Sequence, residues 1–164
     1  MRSSSWEFRR GQKRKADPAK KESVMPPKVL KRNLFQRLLG IPLTRGPRNA
    51  DCWRQAEGKV IIDLRKAPEL TEPGSGFCLE SSDLPERFLV IHGTDGKFYA
   101  FKNRCTHGGR RLDPMPDQPS VQCCSVGKST FDYEGNLQSG SANEGIVTYP
   151  TSLEGSILTI TITQ

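Results

Sequence analysis

The chain has 164 residues, 34% of them hydrophobic, and a formal net charge of +7, which is enough for one modest domain. The positive charge lies at one end, because residues 1–32 carry a net +8 and the rest of the chain −1. The five cysteines are an odd number, which argues against a simple disulfide framework, and the sequence contains neither a secretory apolar run after its basic start nor a stretch approaching a membrane span. We therefore expect a cytoplasmic protein, whose paired cysteines are metal or redox ligands rather than structural bridges.

Residues 1–27 are predicted to be a disordered basic tail, because they are rich in Lys, Arg, Ser and Pro and poor in apolar residues. Residues 28–57 are predicted to form a short amphipathic helix and a linker, with the helix over residues 28–39 ending before Gly40 and Pro42. The apolar stripe of this helix consists of Leu30, Leu34, Phe35, Leu38 and Leu39. Two interpretations remain open for the stripe, which either packs on the domain or binds a membrane surface or a partner.

Residues 58–164 are predicted to form an all-β domain, because short apolar runs alternate with turn residues and no long helix is predicted. Thr94-Asp95-Gly96 predicts a hairpin turn between the second and third strands, and Glu154-Gly155 predicts one between the last two. The predicted strands are KVIIDL (59–64), RFLVIHG (87–93), KFYAFKNR (97–104), SVQCC (120–124), STFDYEG (129–135), IVTYP (146–150) and SILTITI (156–162).

Two loops of this domain carry candidate metal ligands. Cys105 and His107 stand two residues apart directly after the strand predicted over 97–104, and Cys123 and Cys124 stand together at the start of a second loop. Thiolates and imidazoles are ligands for soft and borderline metal ions. Two such loops facing each other at the end of a β-structure predict a metal centre. His92, Cys52 and Cys78 lie outside both loops and are predicted to be structural.

The spacing of these ligands resembles that of the Rieske domain family, in which C-x-H is followed after about fifteen to seventeen residues by C-x-x-H. Cys105 and His107 match the first half and Cys124 the third position, but Gly127 stands where the family has its second histidine. The resemblance covers roughly residues 58–163. It implies a Rieske-like antiparallel β-sandwich with a small cluster-binding subdomain, and as cofactor a [2Fe–2S] cluster with two thiolates on one iron.

Because position 127 lacks an imidazole, the fourth ligand is open. Cys123 is the best substitute chemically, since thiolates suit iron–sulfur clusters. Its neighbour Cys124 argues against it, because adjacent strand residues point to opposite faces unless a bulge intervenes. The other interpretation of Cys123 is a buried, apolar-like cysteine behind the loop.

The resemblance implies a small soluble electron-transfer protein or redox subunit without catalytic residues of its own. Its partner would be a reductase or a terminal oxidoreductase. No specific nucleic-acid contact is expected, and weak contact with a membrane surface through the basic N-terminal segment is left open. Two alternatives remain, a cluster-free Rieske-like binding module and a structural zinc site formed by Cys105, His107, Cys123 and Cys124.

Overall fold

A computed structural model describes residues 32–162, in which twelve strands form three four-stranded antiparallel sheets beside one short α-helix. The predicted antiparallel all-β fold is therefore confirmed. The first sheet contains, in spatial order, β1 (Trp53–Ala56), β2 (Lys59–Asp63), β12 (Ile157–Thr161) and β11 (Thr151–Glu154). The second contains β10 (Thr148–Tyr149), β5 (Phe98–Lys102), β4 (Phe88–His92) and β3 (Ser75–Leu79). The third contains β6 (Leu112–Pro114), β7 (Ser120–Cys123), β8 (Thr130–Asp132) and β9 (Leu137–Ser139). Short 3₁₀ turns occupy Ala50–Cys52, Leu64–Lys66 and Pro68–Leu70.

The second sheet lies between two hydrophobic cores. Successive residues of a strand point to opposite faces. In β4, Phe88 and Val90 enter the core shared with the first sheet, whereas Leu89 and Ile91 enter the core shared with the third sheet. This explains why β4 is a nearly continuous apolar run rather than an alternating one. The second core also contains two of the candidate ligands, Cys105 and Cys123.

The hairpin predicted at Thr94-Asp95-Gly96 is confirmed. β4 and β5 pair antiparallel on either side of it, and Gly96 has a positive φ of 81° that a side chain would strain. The Asp95 carboxylate accepts hydrogen bonds from the Lys97 amide at 3.1 Å and from the Tyr99 hydroxyl at 2.7 Å, which fixes the turn. The chain is thereby directed along β5 toward the first candidate loop.

The turn of the last predicted hairpin is confirmed, but the strand predicted to precede it is wrong. β11 (Thr151–Glu154), not residues 146–150, pairs with β12 across Glu154 and Gly155. Thr148 and Tyr149 instead form β10, which pairs with β5 of the second sheet. Pro150, which has no amide hydrogen to donate, separates the two strands and marks the point where the chain changes sheet.

The helix α1 (Leu34–Leu39) is shorter than predicted. Asn33 caps it, because its side chain accepts a hydrogen bond from the Gln36 amide at 2.8 Å while Gln36 reaches back to the Asn33 amide. Gly40 ends it in the left-handed conformation, as predicted, with a φ of 65°. The predicted helical residues 28–31 and the predicted tail 1–27 lie outside the described residues. Within residues 32–162, no helix is long and apolar enough to cross a bilayer.

The predicted division into residues 1–27, 28–57 and 58–164 stays a prediction. The structure adds that β1, which precedes residue 58, pairs along its whole length with β2. Cys52, just before β1, is 1% exposed in the first core. Residues ahead of the predicted boundary therefore contribute both a strand and a core side chain to the folded unit.

Candidate metal centre

Three of the four candidate ligands come together. Cys105 follows β5, Cys123 is the last residue of β7, and Cys124 follows it. Their side chains are 1%, 1% and 0% exposed, respectively. The thiols of Cys105 and Cys124 each lie within interaction range of the sulfur of Cys123, so the three form a three-sulfur cluster contributed by two loops.

The end of strand β7 allows both neighbouring cysteines to join this cluster. Cys123 is paired in regular register with Leu112 of β6, and no bulge occurs there. Cys124 has already left the strand, and its amide donates to the Arg111 carbonyl at 3.0 Å. Because the alternation of side chains holds only within a strand, it does not separate Cys123 from Cys124. The argument from alternation therefore does not apply to this pair and no bulge is needed, while the role of Cys123 as the fourth ligand stays a prediction.

The three thiols perturb one another's acidity in a definite direction. Hydrogen bonds from Cys105, and then from Cys124, hold the pKa of Cys123 far below that of an ordinary thiol. The pKa values of Cys105 and Cys124 are raised, first because each thiol is hydrogen-bonded to Cys123 and second because each is buried. The acidities of the three thiols are therefore coupled, with the pKa of Cys123 lowered and those of Cys105 and Cys124 raised.

Backbone amides and a guanidinium also surround the sulfurs. Each sulfur accepts a backbone N–H, and such bonds stabilise thiolates and tune bound clusters. The amide donors to Cys105, Cys123 and Cys124 are those of His107, Ser125 and Arg111, respectively. The side chain of Arg32 is inaccessible to solvent, forms an ion pair with Asp113, and lies within electrostatic reach of Cys123 and Cys124. The site is thus built to hold negative charge on sulfur.

His107 and Gly127 are not part of the sulfur cluster. The His107 side chain is exposed, and only its backbone amide reaches Cys105. A Cβ added to Gly127 would approach Ser141 Cβ to 3.0 Å and its Oγ more closely still. Among residues 32–162, no three or more His, Cys, Asp or Glu side chains are arranged to hold a single metal ion.

The helix α1 packs against the second loop through polar groups, which the sequence did not predict. The Cys124 thiol donates to the Gly40 carbonyl at 3.1 Å. Arg37, the buried residue of the helix, donates to the Ser125 carbonyl at 3.5 Å and to Gln122 Oε1 at 3.3 Å. Arg37 stands between Gln36 and Leu38, and nothing in this local sequence indicated that its side chain would point inward. Its role depends on acceptors 85 to 88 positions away in the chain.

Asn103, also missed from the sequence, fixes the entry to the first loop. Its side chain is fully buried, accepts a hydrogen bond from the Leu112 amide at 2.7 Å and donates to Cys78 Sγ at 2.9 Å. It thereby joins the end of β5 to β6, two residues before Cys105. The available signal was an asparagine directly after a strand and next to a candidate ligand, which is too common to single out.

Asn103→Ala is expected to lower the free energy of unfolding by about 1–3 kcal/mol, because it leaves the buried Leu112 amide without an acceptor. Urea denaturation measures this as a lower midpoint with an unchanged slope. The control is Asn143→Ala at an exposed asparagine, for which we expect a change within about 0.5 kcal/mol. Equal stability of the two variants would contradict the role assigned to Asn103.

The residues predicted to be structural lie as expected. Cys52 is buried in the first core and Cys78 in the second, where burial raises the pKa of Cys78 to about 11. His92 ends β4, with Nδ1 3.0 Å from the Leu70 carbonyl oxygen and its ring stacked on Phe98 at 4.6 Å. These contacts engage His92 in the body of the fold rather than at the sulfur cluster.

Comparisons with known proteins agree with this architecture. The chain is similar to the ferredoxin of carbazole 1,9a-dioxygenase from Nocardioides aromaticivorans IC177, with 16% identity and a TM-score of 0.51 over 63% of this chain and 95% of that one. It also matches the plasma membrane Rieske protein PetC3 from Synechocystis PCC 6803, with 20% identity, a TM-score of 0.43, and coverage of 52% and 84%. A quaternary ammonium Rieske monooxygenase matches with 20% identity and a TM-score of 0.47, over 58% of this chain and 29% of that chain. No curated protein matches the chain.

The family comparison is more specific. The family model of the Rieske [2Fe–2S] domain matches residues 66–150, which is more than half of the chain and includes both candidate loops. Domains of this family bind a [2Fe–2S] cluster, as the description of the family states. The chain belongs to the Rieske [2Fe–2S] domain family.

Proposed function

We propose that this protein is a small electron carrier or redox subunit that holds a [2Fe–2S] cluster between residues 105–109 and 123–127. The ligands would be the thiolates of Cys105, Cys123 and Cys124 and the imidazole of His107. The observation that carries the proposal is the convergence of three buried thiols from two loops, each with a backbone amide directed at its sulfur.

The donor types suit a cluster of unusual ligation, although His107 would have to turn its exposed side chain toward the three sulfurs to complete it. The whole chain has two histidines, and His92 is engaged by Leu70 and Phe98 in the body of the fold. The family's two thiolates and two imidazoles are therefore not available, whereas three thiolates and one imidazole are. When bound, a [2Fe–2S] cluster supplies one-electron transfer.

The residues around the thiols would adapt the site to this charge. A third thiolate in place of a neutral imidazole adds a negative charge, which burial alone would make costly. Arg32 lies within electrostatic reach of Cys123 and Cys124, and the backbone amides of His107, Ser125 and Arg111 donate to the three sulfurs. The core that contains Cys105 and Cys123 limits the access of water.

A cluster-free binding module is the second candidate, and one observation favours it. The Cys124 thiol already donates to the Gly40 carbonyl, and Ser141 lies against the position that carries histidine in the family. A site whose thiols are satisfied by protein groups is stable without a cluster. The zinc alternative at the same four residues stays a prediction that metal analysis tests.

For the cluster-bearing protein we propose a reductase or a terminal oxidoreductase as partner, and the cytoplasm as location. The partner class rests on the oxidoreductase systems to which similar Rieske proteins belong, as their names state. The location rests on the thiols, because all five cysteines are free and buried, which suits a reducing compartment.

Purification without oxygen, followed by iron and sulfide analysis and EPR of the dithionite-reduced protein, tests the proposal. We expect a red-brown protein with about two irons per chain and a [2Fe–2S] signal on reduction. A colourless protein that takes up no iron on anaerobic reconstitution would establish the binding module instead. One tightly held zinc per chain would establish the structural zinc site.

A further inference from the structure

The helix α1 presents its apolar side to solvent. Large apolar side chains are exposed here to an extent unusual for a folded domain. The exposed fractions are 73% for Leu34, 66% for Phe35, 62% for Leu38, 54% for Leu39 and 43% for Ile41. We call these five residues the apolar ridge. The interpretation in which the helix docks on the domain is therefore confirmed for its polar side, whereas the described residues of the apolar stripe do not form that contact.

The orientation of the helix is fixed by its polar side. At about 100° per residue, the four ridge residues of the helix span about 140° of its circumference, with Gln36 and Arg37 on the opposite side. Arg37 is buried against Ser125 and Gln122, and Gly40 accepts the Cys124 thiol hydrogen bond. Turning the ridge inward would break these contacts. The contacts between the polar side of the helix and the second loop therefore hold the ridge toward solvent.

We propose that the apolar ridge is a membrane-docking surface that inserts into the interface of an anionic lipid bilayer. The proposal does not depend on whether the protein holds a cluster. Charge complementarity identifies the occupant, because residues 1–31, which precede the helix in the chain, carry a net charge of +7. A short apolar helix and a polybasic segment each bind a bilayer weakly, and the two together bind it stably.

Basic residues of the folded part add to this positive charge. The Arg110 side chain packs against Gly40 at the end of the helix. Arg45 and Lys128 are exposed on the segments that follow the helix and the second loop. A protein partner would need charges in fixed pairs, whereas charges distributed along a segment suit the diffuse potential of an anionic leaflet. We therefore favour a lipid surface over an acidic protein.

Docking in this way would place the sulfur cluster beside the membrane. The helix contacts the second loop directly, through Arg37 to Ser125 and through Gly40 to Cys124. Val126, next to Ser125 in that loop, is itself 49% exposed. The loop would therefore lie at the bilayer surface when the ridge is inserted.

Cosedimentation of the full chain with vesicles tests the proposal. We expect binding to vesicles of phosphatidylcholine and phosphatidylserine, much weaker binding to phosphatidylcholine alone, and a loss of affinity with added salt. The double variant Leu38→Gln/Leu39→Gln is expected to bind the anionic vesicles more than about tenfold more weakly, because it removes the side chains that would insert. Glutamine is a good helix former, so the helix is retained.

The matched control is Leu153→Gln, which changes a 50% exposed leucine on β11, away from the ridge, and should bind as the unaltered chain does. Equal binding of the ridge variant and the control would overturn the proposal and assign the attraction to charge alone. Absence of vesicle binding would overturn it too. So would sedimentation as a dimer that Leu38→Gln/Leu39→Gln dissociates, since the ridge would then pair with a second copy. Iron-loaded and iron-free preparations are compared, so that failure of the cluster proposal is scored separately.

Discussion

Cys105→Ser and Cys124→Ser are each expected to abolish cluster binding, because these two cysteines occupy the thiolate positions of the family pattern. Their sulfurs are buried and meet at Cys123, so the loss of either leaves the site with too few soft donors. Serine keeps the size of the side chain, but its hydroxyl is a poor ligand for iron–sulfur clusters. The measurements are iron and sulfide per chain and the EPR spectrum of the reduced protein.

The control for this prediction is Cys52→Ser. Cys52 is also a buried free thiol, but it lies in the first core, away from the two loops. Its replacement should cost about 1–3 kcal/mol of stability and leave the iron content unchanged. Full iron in either Cys105→Ser or Cys124→Ser would show that the site has been misplaced. Cys123→Ser then separates a ligand from a packing residue, since loss of iron or an altered spectrum identifies a ligand.

Residues of this site could be predicted from the sequence where the pattern that marks them lies within a few neighbouring positions. Cys105 and His107 were predicted as ligands because C-x-H lies within three residues of one loop, and Cys124 because it stands at the spacing of the Rieske family; the structure brings Cys105 and Cys124 together and leaves the His107 side chain exposed. The inward position of Cys123 depends on where β7 ends, and strand ends are poorly encoded in a sequence. The alternation of side chains holds within β7, but the sequence argument extended it to Cys124, which lies just after the end of the strand.

The orientation of the helix α1 could not be predicted from the sequence, although its end could. Its end at Gly40 was predictable, because glycine adopts the left-handed conformation without strain. Its inward side was not, because an apolar stripe usually packs inward. Here Arg37 has hydrogen-bond acceptors on a distant loop, and the exposed side carries the leucines. Periodicity identified the stripe, but only the tertiary contacts of Arg37 decide which way it faces.

Among the strands, too, pairings between neighbouring segments were predicted and pairings between distant segments were not. β4 and β5 were predicted because their turn and their apolar runs are contiguous in the chain. The pairing of β10 with β5 was missed because it joins Tyr149 to Ala100, far apart in sequence. The short strand β6 contains Pro114, which is tolerated because β6 is an edge strand, but which weakens the local signal for a strand. Contacts of long sequence separation thus account for most of what the sequence did not predict.

Gly127→His is expected to raise the reduction potential of the cluster, provided that Ser141 makes room. Two neutral imidazoles give Rieske centres potentials of about −150 to +300 mV, against about −400 mV for plant-type clusters with four thiolates. A cluster with three thiolates and one imidazole should lie below the Rieske range, because the additional negative charge stabilises the oxidised form. An imidazole at position 127 that displaces Cys123 would move the potential toward that range.

The structure identifies what this variant needs in order to work. The φ of Gly127 lies outside the left-handed region, so a side chain causes no backbone strain there, but it would meet Ser141. Because Ser141 is exposed on a loop, the double variant Gly127→His/Ser141→Gly should accept the ring with little loss of stability. Ser141→Gly alone should leave the potential unchanged, and Gly127→Gln/Ser141→Gly supplies a side chain of similar size without an imidazole.

Protein-film voltammetry across a range of pH, together with EPR, distinguishes the outcomes. We expect the histidine double variant alone to gain potential, to show a stronger pH dependence because a second imidazole can titrate, and to give a more Rieske-like signal. The glutamine double variant should match the unaltered protein. An iron-loaded histidine variant with unchanged potential and spectrum would show that residue 127 does not face the cluster. The fourth ligand would then come from elsewhere in the second loop, where Cys123 lies within interaction range of both Cys105 and Cys124.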